Sequence, residues 1–150
     1  MPVSAYKQVW ATALDANTAD RKEELGILRN DVNGVTYQYV VAGATGWETG
    51  KALIEATPGT PRILIPSTVG VIQPVKAVSQ STVTALYYGW VIKLGPCSVY
   101  TEGCGQGDSL FAGGVTAGYA RVMPKRGAKD SPLRACTAGA NGALASAEMR

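Results

Sequence analysis

Residues 25–43 read LGILRNDVNGVTYQYVVAG, two apolar runs on either side of Asn33-Gly34. Asn and Gly tolerate the positive φ angles of a tight type I′ turn, whose twist matches that of the strands it joins. The stretch therefore predicts a β-hairpin. With a two-residue turn, Val32 faces Val35, Leu28 faces Tyr39 and Gly26 faces Val41, and two-residue alternation puts Val35, Tyr37, Tyr39 and Val41 on one face.

The rest of the chain agrees with a sheet protein. At 150 residues and 15.6 kDa it has the size of one domain. Apolar residues make up 46% and charged residues 17%, with 18 Gly and 8 Pro, a balance that suits short strands and many turns rather than disorder or a helical bundle. After Lys51 short apolar runs recur between Gly and Pro: KALIEA, RILIP after Pro58-Gly59-Thr60-Pro61, VGVIQPV, YYGWVIKLG, CSVYT, SLFAG, VTAGYARVM, LRACT and, after Asn141-Gly142, ALASAEM. The plainest strand is YYGWVIKLG, in which Tyr88, Trp90, Ile92 and Leu94 alternate with smaller residues and Trp90 reads as core. Turn signals at this spacing predict an all-β fold, a small β-barrel or β-tulip-like sandwich of short strands.

Residues 1–23 differ, being polar and Ala-rich without Gly. They read as an N-terminal arm, with residues 24–150 as the barrel domain. Tyr6, Val9, Trp10, Ala13 and Leu14 have the spacing of one helical face, so the arm is either a short amphipathic helix or an extended strand. Fully extended, 22 residues reach about 70 Å, well beyond the radius of such a domain. The large apolar side chains must pack on their own core or on another subunit. If on another subunit, deleting residues 2–22 is expected to leave a folded barrel with weakened assembly.

The chemistry is bounded by what the composition provides. There is no histidine, which removes the commonest general base and metal ligand. Cys97, Cys104 and Cys136 form neither an even disulfide framework nor a CxxC pair, and read as idle thiols. GCGQG at 103–107 lacks the GxGxxG spacing and reads as a turn; Gly46–Ala52 fails as a phosphate loop and reads as a lead into KALIEA. Glu23, Glu24 and Asp31 lie beside Lys22 and Arg29 and read as a screened, exposed group. Asp108 with Glu102 falls short of the oxygens calcium prefers. No catalytic, cofactor or metal site is expected, and no enzyme activity.

Net charge is +3, too small to imply nucleic acid, but residues 76–150 carry 8 basic and 4 acidic groups against 6 and 7 in residues 1–75. Arg121, Lys125, Arg126, Lys129 and Arg134 read either as a patch for an acidic partner or as a solvated loop around Pro124 and Gly127. No apolar run approaches the roughly 20 residues of a membrane span, and the first residues lack a signal-peptide pattern, so the chain reads as made in the cytosol and unprocessed.

The order LGILRNDVNGVTYQYVVAG, KALIEA, STVTALYYGWVIKLGPCSV and GCGQGDSLFAGG resembles that of tailed-phage capsid decoration, or cement, proteins over residues 24–122. PKRGAKDSP and the C-terminal SAEMR depart from that pattern. The resemblance implies a non-enzymatic protein, made in the host bacterial cytoplasm, that sits on the outside of an icosahedral head. There it would act as a homotrimer, stabilising the lattice of its partner, the major capsid protein, with no nucleic-acid or membrane contact. Tyr6, Val9, Trp10 and Leu14, with Arg121, Lys125 and Arg126, are then the candidate subunit or capsid interface. The alternative is a carbohydrate- or partner-binding β module of a tail or fibre, which calls for exposed aromatics; Tyr87, Tyr100 and Tyr119 are its candidates.

Overall fold

A computed structural model describes residues 9–70, 72–122 and 131–150. All regular structure in these residues is β: β1 (Leu28–Asn30), β2 (Thr36–Ala42), β3 (Ala52–Glu55), β4 (Ile63–Pro66), β5 (Gln73–Pro74), β6 (Ala77–Ser79), β7 (Tyr88–Cys104), β8 (Ser109–Ala112), β9 (Arg121–Val122), β10 (Leu133–Ala135) and β11 (Gly139–Met149).

Five of the strands close a ring. β2 pairs with β4 in parallel, β4 with β3, β3 with β6 and β6 with β7, and β7 returns to β2 with Tyr39 opposite Trp90. Alternation then sorts the side chains. Val40 and Ala42 from β2, Leu53, Leu64, Ala77 and Val91 fill the inside, with Trp47 and Val83 from the loops packed against them. Most are small because a five-stranded barrel leaves little internal volume. The opposite faces of the same strands, carrying Tyr39, Ala52, Ile54, Val78, Trp90 and Ile92, are buried too. They pack in one cluster with Val99, Leu110, Leu133, Ala147 and Met149 of the second group of strands, β5 and β8 to β11 with the far half of β7. A strand buried on both sides explains why 39–42 reads YVVA without a polar residue.

β7 joins the two groups. The sequence suggests two strands, YYGWVIKLG and CSVYT, but the backbone runs through as one of 17 residues, paired with β2 up to Leu94 and with β11 from Gly95 to Cys104. At Gly95 the residues of β7 that join the cluster shared with the second group of strands change from even to odd numbers, from Trp90 and Ile92 to Cys97 and Val99. Gly95 has φ +99° and lies against the hairpin turn, where a Cβ would come within 2.7 Å of the Gly34 carbonyl oxygen. The glycine permits both the change of face and the close approach. Asn141-Gly142 likewise lies within β11, at a register shift between Asn141 and Ala143, instead of ahead of a strand.

The expected hairpin is present with a different register. Leu28 faces Gln38, Arg29 faces Tyr37 and Asn30 faces Thr36, so Val32-Asn33-Gly34 forms a three-residue loop. The Asp31 carboxylate causes the difference: Oδ1 accepts from the N–H groups of Asn33 and Val35, both at 2.9 Å, and the Asp31 N–H donates to the Val35 carbonyl. An Asx-type turn of this kind ends on a residue of positive φ, the role of Gly34 at +79°. Val35, Tyr37 and Tyr39 still share the buried face, while Val41 is only half-buried.

Candidate functional site

The described part of the arm, residues 9–23, forms no helix. It lies against the outer wall of the barrel where β2 and β7 meet. Trp10 stands edge-on to Trp90, with ring centroids 5.3 Å apart and planes at 90°. The Arg29 guanidinium covers both indoles, 5.2 Å from the Trp10 ring and 5.7 Å from the Trp90 ring, and its Nη1 donates to the Thr12 carbonyl at 2.9 Å. Trp90 Nε1 donates to Thr12 Oγ1 at 3.0 Å, which satisfies the one polar atom of a fully buried indole. Farther along, Gln80 Nε2 donates to the Leu14 carbonyl, Thr18 exchanges backbone hydrogen bonds with Tyr88, and the Lys22 N–H donates to the Tyr39 hydroxyl at 3.1 Å.

Of the candidate interface residues, Trp10 and Leu14 pack against the core of their own chain. Val9 projects into solvent, 88% exposed. Arg121 is half-buried on β9 opposite Phe111 of β8. Tyr6, Lys125 and Arg126 lie outside the described residues, as does Lys129.

The acidic group of residues 23–31 has structural work. Glu23 Oε1 accepts from the Thr12 N–H at 3.0 Å and from its hydroxyl at 3.3 Å, holding the arm's turn. Asp31 holds the hairpin loop, and the Val35 and Asn33 amides and the Tyr37 hydroxyl keep its carboxyl below the usual value, against a smaller opposing effect of burial. GCGQG is a turn: Gly105 N–H donates to Asp108 Oδ2 at 2.7 Å and Gly107 N–H to the Ala135 carbonyl at 2.7 Å. Cys97, Cys104 and Cys136 are free, and burial pushes the Cys97 thiol up to about 12.

Two of the concave surfaces on the described residues bear on the site. One, about 510 Å³, is lined by Thr45, Trp47, Glu48, Lys51, Ser67 and Thr82 among others. Beside it the Lys51 ammonium sits 4.6 Å from the Tyr119 ring centroid and 4.9 Å from that of Tyr100, and the two rings stack at 5.3 Å. Tyr100 and Tyr119 thus turn ring faces to each other and to a lysine of their own chain. Tyr87 is half-buried against the barrel interior. All three tyrosines are half-buried.

The other, about 460 Å³, opens where the inward face of the barrel runs out at the hairpin end. Leu28, Thr36, Gln38 and Leu94 form its wall, Val75, Pro132 and Met149 add apolar surface, and Lys76, Lys93 and Arg150 supply charge. Sequence reading misses this surface, because Lys76 and Lys93 are ordinary isolated lysines until β6 and β7 pair.

No protein-family model matches the chain, and no characterised protein matches it by sequence. Among solved structures it is similar in fold to the N base of the head fibre protein gp8.5 of bacteriophage phi29. The likeness has a TM-score of 0.53 at 14% identity and covers 77% of this chain and 94% of that one.

Proposed function

We propose that this chain is a structural, non-catalytic protein of a bacteriophage head, attached to the outer face of the shell. The observation that carries the reading is the likeness in fold to a head fibre base, extending over nearly all of that chain. It supports, from backbone geometry, what the order of motifs in residues 24–122 suggests by resemblance to capsid decoration proteins. The finer assignment is a cement role, with several copies, as a homotrimer, stabilising the major capsid protein lattice. Modest contacts per copy suffice there, because linked copies bind with avidity. A second reading, the base of a head fibre, is favoured by the same comparison and differs in what the protein carries outward.

Co-sedimentation tests the attachment. Purified chain incubated with heads of the encoding phage, stripped of their accessory proteins, is expected to pellet with them at a fixed ratio to the major capsid protein. Recovery wholly in the supernatant, at concentrations where the protein is folded, contradicts the reading. Shells that resist heat or chelation better with the protein bound support cementing; unchanged shells favour the fibre base.

A further inference from the structure

We infer that the groove between the hairpin and the end of β11 takes an extended, acidic and apolar peptide segment of the protein to which this chain docks. That the docking protein is a phage shell subunit rests on the reading above; the chemistry of the segment does not.

Three features of the groove define the occupant. The first is charge. Lys76, Lys93 and Arg150 line it, and no described lining residue is acidic. Lys93 Nζ donates to the Lys76 carbonyl at 2.9 Å and forms no described ion pair. Burial and the neighbouring Lys76 lower its pKa, with Glu55 opposing them. Glu55 is itself engaged, accepting from the Gly59 N–H at 3.0 Å. A half-buried ammonium whose one described hydrogen bond is to a carbonyl has lost hydration without a described counter-charge, and an incoming carboxylate supplies one.

The second feature is apolar surface. Leu28 is 54% exposed and Leu94 46% exposed on the same groove, an arrangement that leaves large side chains in water unless something covers them.

The third is a sheet edge. Among the described residues β1 ends the strand order and pairs only with β2. Because the Asp31 N–H donates to the Val35 carbonyl and the Ile27 carbonyl accepts from the Tyr39 N–H, alternation turns the N–H and C=O groups of Leu28 and Asn30 away from β2. A segment added beside β1 would satisfy them and present alternate side chains to the groove. Backbone pairing thus requires an extended chain, Leu28 and Leu94 an apolar residue, and the lysines a carboxylate.

The test is fluorescence anisotropy with three labelled eight-residue peptides in which Val alternates with Asp, Ser or Lys, at low and at high salt. The acidic peptide is expected to bind the full-length protein, to weaken as salt shortens the screening length from about 10 Å at 0.1 M, and to exceed the other two. The double variant Lys76→Glu/Lys93→Glu, shown folded by its thermal transition, is expected to lose about tenfold or more in affinity, and Arg21→Glu, on the exposed arm, to lose little. Amide shifts at Leu28, Asn30 and Leu94 locate the peptide. Equal binding of the three peptides, or a loss no larger in the double variant than in Arg21→Glu, overturns the inference. Heads bound without peptide bound would defeat the inference alone; peptide bound without heads would defeat the head reading alone.

Discussion

Trp10 stands edge-on to Trp90 at 5.3 Å, so the arm is built into the wall of the barrel that it precedes. Trp90 is fully buried, with Trp10 against its ring, and its indole N–H has Thr12 as partner. The described part of the arm is therefore a structural layer of its own chain.

Trp10→Ala should destabilise the protein by about 2–4 kcal/mol, the range for removing a large aromatic with its ring pair. Thr12→Val, which strands the Trp90 N–H, should cost about 1–2 kcal/mol. Deletion of residues 2–22 should lower the unfolding midpoint more than either, in place of the intact barrel expected from the sequence. Denaturant titrations followed by tryptophan fluorescence check this; a truncated chain as stable as the full one would contradict it.

The hairpin loop should loosen in acid. The folded-state pKa of Asp31 is depressed, so its contribution is present above the ordinary value of 3.8 and is lost as pH falls through the lower, folded value. Amide shifts of Asn33 and Val35 should move together in that range and stay flat above it. In Asp31→Ala the titration should vanish and the loop should be disordered at neutral pH. A loop indifferent to Asp31→Ala would remove the carboxylate from its assigned role.

The thiols should separate by reactivity. With its pKa pushed up to about 12, chiefly by burial and then by the Cys136 charge, Cys97 is protonated and covered at pH 8. Cys136 is exposed and Cys104 half-buried. Mass mapping after brief native alkylation should find Cys136 modified first and Cys97 only in denaturant. Modification of Cys97 at the rate of Cys136 would show that the cleft between the sheets opens readily.

Gly95→Ala should cost about 2 kcal/mol or more, because the new Cβ meets the Gly34 carbonyl and the residue keeps a left-handed φ. Gly59→Ala, also at positive φ but with open space around it, should cost less. A reversed order in thermal melts would mean that β7 does not need its bend against the hairpin.

Local signals were legible in the sequence and distant ones were not. Alternation in YYGWVIKLG placed Trp90 in the core, and Asn33-Gly34 placed the hairpin, because both depend on neighbours along the chain. The register was missed because one side chain, Asp31, converts a two-residue turn into a three-residue loop. Gly95-Pro96 looks like a strand boundary in sequence and is a bend within one strand, since β2 pairs with β7 up to Leu94 and β11 takes over the ladder from Gly95. The helical spacing of Trp10 and Leu14 gave way to packing against Trp90 and hydrogen bonds to Gln80 and Tyr88, contacts that exist only once the barrel has closed. The basic groove unites residues from β1, β2, β7 and β11 and has no linear signature.

The most direct measurement is cryo-electron microscopy of stripped heads after incubation with the purified chain. The head reading predicts added density at defined sites on the outer surface of the shell, of a size for a 15.6 kDa barrel or a small cluster of them. Shells indistinguishable from untreated ones, at saturating concentrations of folded protein, would contradict it.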